Sequence, residues 1–365
     1  MIGSFIVGSS VGKIYFVQVS TKSHAVSLRT TLTVSFRECR QVLVDTSNKS
    51  FYVLDQNDEE SPARLVTLAP TELGNIEEKS VCGTDLKGPS TFSLIGNYLY
   101  VLADTGYTIL RGPKAPMTKR RRRTSKLEPV HEDLVAESLI ELFAISHRMD
   151  TEDISDPGDP QPAIDVIKQH IHGETASDVV AMGMVIPCSD GEEPLLKLLP
   201  DGKDEFIFGL TRSSLTTYEV QEQDGSLVDC ASHELEDDAI DMAVDDAASC
   251  FVLTRTSIVQ LAIVGGGFLD EVETFSLPLA ADEAVYSIHV AAYSLWIRCA
   301  ERLLQVNILN GKTRSLPVVC RNLYVSLDAE MLITASESAM QLRDRDGKLL
   351  GERELEGLAE ITRMS

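Results

Sequence analysis

Four turns in the C-terminal half constrain this chain more than any other feature of it. Asp224-Gly225, Gly265-Gly266-Gly267, Asn310-Gly311 and Asp346-Gly347 each follow an alternating apolar–polar run, at 215–220, 258–263, 303–308 and 339–343. A second short apolar run follows each turn. Such alternation puts one face of a strand into a core, and a short glycine-bearing link joins two such strands as a hairpin. The turn glycines Gly225, Gly266, Gly311 and Gly347 lie 41, 45 and 36 residues apart, with no helical period between them. A hairpin repeat of about 40 residues marks small sheets packed side by side, none of which can bury its faces alone.

Followed along the chain, the repeat predicts an all-β fold, a seven-bladed β-propeller, with six blades left open by the weak signal at 60–85. Strands at 4–8, 13–19 and 28–35 give a first blade that lacks its innermost strand, and 358–364 is placed to supply it. Closing the ring with both chain ends removes two exposed sheet edges. A frayed C-terminal tail is the alternative. The second blade covers 41–82, and the third starts at 91–110, breaks off, and regains an outer strand at 178–186. Blades four to seven read as 195–234, 239–277, 285–316 and 322–355. The chain therefore divides into 1–112, an insertion at 113–177, and 178–365. At 365 residues it exceeds the size at which one compact core stops growing. A ring avoids that limit because each blade packs only on its neighbours.

The insertion has a different character. Lys119, Arg120, Arg121, Arg122, Arg123 and Lys126 place six basic residues among eight. Such a run reads as a nuclear import signal, with pairing to the chain's own acidic loops or contact with RNA or DNA as alternatives. Thr124 and Ser125 beside it suit basophilic kinases, and phosphate there would offset part of the charge. Residues 132–148 have a helical period, with Val135, Leu139, Leu142 and Phe143 on one face. That face either covers the side of the ring or docks into a partner. Residues 150–162 are acidic and proline-bearing, and 163–172 have the pattern of a second short helix.

Charge sets the partner class. The chain carries 33 Lys and Arg against 56 Asp and Glu, a net charge of −23, which argues against a general nucleic-acid coat. Its partners are expected to be other proteins, the subunits of a complex, with nucleic acid reached only indirectly. Seven scattered cysteines, without a CxxC pair, point to free thiols in a reducing compartment. No apolar run is long enough for a membrane span, and the first residues do not form a signal peptide.

Chemistry-bearing motifs are sparse. There is no nucleophile elbow and no phosphate-binding loop, and Gly265-Gly266-Gly267 leads into a strand rather than a helix. His170 and His172 are spaced for opposite sides of a helix, and His233 lies in an acidic stretch, so no metal site is expected. Asp241, Asp245 and Asp246 do not have the spacing of a calcium loop. The expected inner strands at 42–45, 92–95, 240–244, 286–290 and 323–326 are mostly apolar. Only Asp241 and His289 stand out in them as channel-lining polar groups. No cofactor is expected.

The hairpin series resembles the WD40-like β-propeller superfamily. Residues 8–14 are similar to the GS.DG.I turn between the second and third strands of a WD40 blade. Residues 310–312 and 346–348 are similar to the TGK turn after the third strand. No Gly-His opens a blade and no Trp-Asp closes a third strand; the single tryptophan, Trp296, falls in a second strand. The resemblance implies a rigid, non-catalytic platform for protein assembly. The resulting expectation is a scaffold subunit of a nuclear complex, without enzyme activity. A cytoplasmic trafficking or ubiquitin-ligase adaptor is the alternative, and a propeller hydrolase acting through Asp241 or His289 the third reading.

Overall fold

A computed structural model describes residues 2–111 and 181–364, apart from short loop stretches within those ranges. The basic run with Thr124 and Ser125, and the 132–148 segment with Val135, Leu139, Leu142 and Phe143, lie outside the described residues. Seven four-stranded antiparallel sheets form, each a blade. Blade 1 contains β1 (Ile2–Ser9), β2 (Lys13–Ser20) and β3 (Ala25–Thr33). Blade 2 contains β4 (Cys39–Asp45), β5 (Ser50–Asp55), β6 (Arg64–Pro70) and β7 (Ile76–Gly83). Blade 3 contains β8 (Thr91–Ile95), β9 (Tyr98–Ala103), β10 (Gly106–Arg111) and β11 (Ala181–Pro187). Blade 4 contains β12 (Lys197–Pro200), β13 (Ile207–Leu210), β14 (Ser214–Val220) and β15 (Leu227–Glu234). Blade 5 contains β16 (Ala239–Val244), β17 (Ser249–Thr254), β18 (Ser257–Val264) and β19 (Phe268–Ser276). Blade 6 contains β20 (Val285–Ala291), β21 (Ser294–Cys299), β22 (Leu303–Asn307) and β23 (Thr313–Leu316). Blade 7 contains β24 (Asn322–Val325), β25 (Met331–Ala335), β26 (Ala339–Asp344) and β27 (Leu349–Glu354). Finally β28 (Leu358–Met364) returns to blade 1 as its innermost strand.

The inner strands β28, β4, β8, β12, β16, β20 and β24 touch one another in that order, and β24 touches β28, so the ring closes with seven blades. The weak stretch at 60–85 supplies β6 and β7, which completes blade 2 and excludes the six-bladed count. Closure uses both chain ends: β28 runs antiparallel to β1, with Ser4 opposite Met364 and Gly8 opposite Glu360. Ser10 N donates to Gly357 O at 2.8 Å, Tyr15 Oη donates to Glu356 O at 2.8 Å, and Lys13 pairs with Glu356 at 2.7 Å.

The core is distributed between blades rather than central. Each second strand is covered on both faces, which is why β5 and β9 read as unbroken apolar runs and every residue in them is buried. Between blades 6 and 7, Trp296 packs among Leu303, Leu316, Leu323 and Leu332. Between blades 5 and 6, Phe251, Leu253 and Phe275 meet Ile288, Leu295 and Ile297. Outermost strands such as β19 are largely exposed.

The four turns that revealed the repeat join third to fourth strands, and Gly225, Gly266, Gly311 and Gly347 adopt φ of 78°, 79°, 66° and 83°. Only glycine enters that region without a steric cost. All inner strands run in the same direction along the channel, giving the ring two distinct faces. On the entry face lie the links between blades and the turns joining second to third strands. The first-to-second-strand turns lie on the exit face.

Candidate functional site

Polar side chains of the inner strands join one blade to the next near the entry face. Gln41 Nε2 donates to Phe92 O at 3.1 Å, and Gln41 Oε1 accepts from Phe92 N and Thr91 Oγ1, both at 2.9 Å. Ser93 Oγ donates to Leu198 O at 2.9 Å. Lys197 Nζ donates to Asp241 Oδ1 at 2.7 Å and to Met242 O at 2.9 Å. Asp241 Oδ2 in turn accepts from Ile288 N at 2.9 Å. Blades 2 to 6 are thus linked in sequence. Bulges help to aim these groups: the ladder slips between Cys39 and Gln41, between Ala239 and Asp241, and between Val285 and Ser287. The residue after each slip is the polar one, as expected where a bulge redirects a side chain.

Of the two expected channel residues, Asp241 has both carboxylate oxygens committed to this network. His289 differs. Among the described residues neither of its ring nitrogens has a hydrogen-bond partner. Burial pushes its pKa down to about 4; Asp241 works against that shift, while Lys197 and Arg298 add to it. The imidazole is therefore neutral at neutral pH. Arg298 lies on the strand beside it, its guanidinium 4.6 Å from the Tyr286 ring centroid and its Nε donating to Ser287 Oγ at 3.3 Å. The structure therefore brings Asp241 and His289 within electrostatic reach of each other and adds Lys197 and Arg298. Sequence reading missed these two, together with Gln41 and Ser93. The usable signal was a polar residue recurring near the start of each inner strand.

Two surface features lie away from this network. On the exit face, the turns joining first to second strands in blades 5, 6 and 7 contain Ala248, Ala292, Tyr293 and Ala329, with φ of 65°, 44°, 62° and 53°. None is a glycine, so each occupies a left-handed conformation that its Cβ opposes. Leu309, Leu327 and Tyr293 are the most exposed large apolar side chains among the described residues, at 74%, 72% and 68%. Tyr293 and Leu327 sit in two of these turns, and Ile308 N, next to Leu309, donates to Tyr293 O at 2.9 Å. The second feature is a recess of about 460 Å³ on the entry face between blades 3 and 4, lined in part by Tyr107, Glu193, Ser213, Tyr218 and Asp229. Among the described residues, no three or more His, Cys, Asp and Glu side chains gather as a metal site, and no helix is long and apolar enough to cross a membrane.

Comparison with known proteins bears on the fold. No family model matches the chain, and no curated protein matches it. Solved structures do. A protein from Lactobacillus plantarum is 10% identical, with a TM-score of 0.67 and all of both chains covered. The periplasmic gluconolactonase of Pseudomonas aeruginosa is 11% identical, with a TM-score of 0.58, covering 100% of this chain and 99% of its own. A Bacteroides fragilis protein provisionally assigned as a 6-phosphogluconolactonase is 11% identical, with a TM-score of 0.63, covering 99% and 98%. At such identities the likeness is one of fold. It nevertheless corrects two expectations. The neighbours are lactonase-like propellers rather than WD40 proteins specifically. The expectation that the chain has no enzyme activity is overturned, because a protein named for its catalysis shares this architecture over its whole length.

Proposed function

We propose that this chain is a protein-docking subunit of a multiprotein assembly, engaging a basic partner through the exit face of blades 5 to 7. The observation that carries this reading is Tyr293, an exposed aromatic ring held in a strained turn on the same face as the exposed Leu309 and Leu327. Glycine or asparagine would make that turn without strain. Two successive left-handed L-residues, Ala292 and Tyr293, cost about 1 kcal/mol each. Outliers of this kind concentrate at binding surfaces, and tyrosine is among the residues that dominate interface energetics. The net charge of −23 favours a partner surface with basic groups around an apolar pocket. The WD40-like turns at 8–14, 310–312 and 346–348 fit the same platform reading.

The test compares partner capture by the intact chain with that by a Y293S/L309S/L327S variant of equal melting temperature. A stoichiometric partner retained by the first and lost by the second supports the reading. Capture that is unchanged sinks it. A homodimer in light scattering that the variant abolishes would make a second copy the occupant instead. For location, we propose the nucleus, with Lys119, Arg120, Arg121, Arg122, Arg123 and Lys126 as import signal. Nuclear exclusion of a fluorescent fusion, unaffected by replacing Arg120 to Arg123 with alanine, would favour the cytoplasmic adaptor.

His289 favours a second reading, hydrolysis of a cyclic ester in the channel. A neutral imidazole can take a proton from water as the oxygen attacks the ester carbonyl. The ring C–O bond then breaks and the departing oxygen recovers a proton. Gluconolactone hydrolysis lost in a folded His289→Ala variant supports it, and an unchanged rate excludes it.

A further inference from the structure

We propose that the entry-face recess between blades 3 and 4 receives the cationic side chain of an arginine- or lysine-bearing segment of a partner protein. This site is separate from the exit-face turns and does not depend on them. Its volume, about 460 Å³, lies in the range of pockets that enclose a ligand group. Five elements build it: the link between blades 3 and 4 with Glu193, the Thr211–Ser214 turn of blade 4, and β10, β14 and β15 with Tyr107, Tyr218 and Asp229.

The chemistry of its walls is one-sided. Two tyrosine rings and carboxylates line it together with the hydroxyls of Thr211, Ser213 and Ser214, and no Lys, Arg or His is among the described lining residues. Arg212, whose charge acts on Glu193, is not among the lining residues. Glu193 is held in place, its Oε2 accepting from Ser213 N at 2.8 Å. Burial acts to raise its pKa, yet hydrogen bonds from Ser213 and Thr211 and the charge of Arg212 bring it below the usual range, keeping the carboxylate charged. Asp229 acts on both rings: burial first and then its charge raise Tyr107, and the same two causes push Tyr218 up to about 12. The tyrosine hydroxyls thus stay protonated and their π-faces lie in a negative field. A guanidinium or ammonium group gains from both carboxylate pairing and the ring faces. An anion would be repelled by the carboxylates. A neutral apolar group would gain nothing from either carboxylate.

The experiment is fluorescence anisotropy on the full chain with a labelled, acetylated tetra-arginine peptide and its tetra-citrulline counterpart, which keeps shape and removes charge. The arginine peptide should bind about tenfold tighter or better, and its affinity should fall with added salt. The E193Q/D229N double variant should lose about tenfold in affinity for the arginine peptide. Glu273→Gln, a charge removal on the outer strand of blade 5, should leave affinity unchanged. Equal losses from Glu273→Gln and the double variant would show diffuse attraction to an acidic protein and overturn the site. So would full affinity in the double variant. Tighter peptide binding when Arg120 to Arg123 are replaced by alanine would make the chain's own basic run the occupant and overturn the assignment to a partner.

Discussion

Acid should destabilise this chain through His289 by an amount that a non-titrating residue at that position would remove. In the unfolded chain the imidazole has its ordinary pKa of 6.5; in the ring it is held near 4, chiefly by burial. Above 6.5 both states are neutral and the group contributes nothing. Between 6.5 and about 4 the unfolded chain binds a proton that the folded chain refuses, so stability falls as pH falls. Below about 4 both are charged and the loss is complete. A gap of about 2.5 pH units sets a ceiling of about 3 kcal/mol. Because solvent reaches the half-buried ring, we expect about 2 kcal/mol by about pH 4.5. Urea unfolding of the intact chain and of His289→Gln, each at about pH 7.5 and about pH 4.5, isolates this contribution, since other titrating groups act on both proteins. The intact chain should lose about 2 kcal/mol more than the variant over that interval. A difference below about 0.5 kcal/mol would refute the claim that the ring suppresses protonation of His289.

Three further outcomes are expected. Asp241→Ala should cost about 3 kcal/mol in urea unfolding, because it strands Lys197 and leaves the Ile288 amide without an acceptor, whereas Asp241→Asn should cost about 1 kcal/mol. Gly225→Ala should cost at least about 2 kcal/mol: φ is 78°, and a methyl group would overlap the Tyr98 ring, displacing the turn whose carbonyl accepts from Tyr100 Oη at 2.7 Å. Tyr293→Gly should act in the opposite direction, raising stability by about 1 kcal/mol while lowering partner capture.

The parts of the fold legible in the sequence are those that need a special residue at a fixed spacing. Gly225, Gly266, Gly311 and Gly347 all fill left-handed positions of the same turn, so their spacing traces the blades. The missing inner strand of blade 1 was likewise legible, because an unpaired edge demands a partner and the segment at 358–364 was free to supply it. The network joining the blades was not. Most of its bonds end on backbone atoms, which leave no mark in sequence, and its ion pair spans 44 residues from Lys197 to Asp241. A polar residue at the start of an inner strand looks there like a minor interruption. The turns of blades 5 to 7 were hidden for another reason: Ala292 and Tyr293 are not the glycine or asparagine that signals such a turn.

That second omission connects the fold to the proposed function. In a ring where each blade packs only on its neighbours, strain in one turn remains local and does not propagate through a common core. Blades 5 and 6 are anchored at their inner strands by Asp241, which bonds Lys197 of blade 4 and Ile288 of blade 6. At the other end of the same inner strands are the left-handed turns at Ala248 and at Ala292-Tyr293. A residue can therefore be chosen in those turns for what it presents to solvent rather than for ease of folding. The third-to-fourth-strand turns of blades 4 and 5 do not have this freedom, since Gly225 and Gly267 press against side chains of the preceding blade. If this division holds, substitutions at Gly225 and Gly267 will change stability. Those at Tyr293 will change binding, with stability moving the other way.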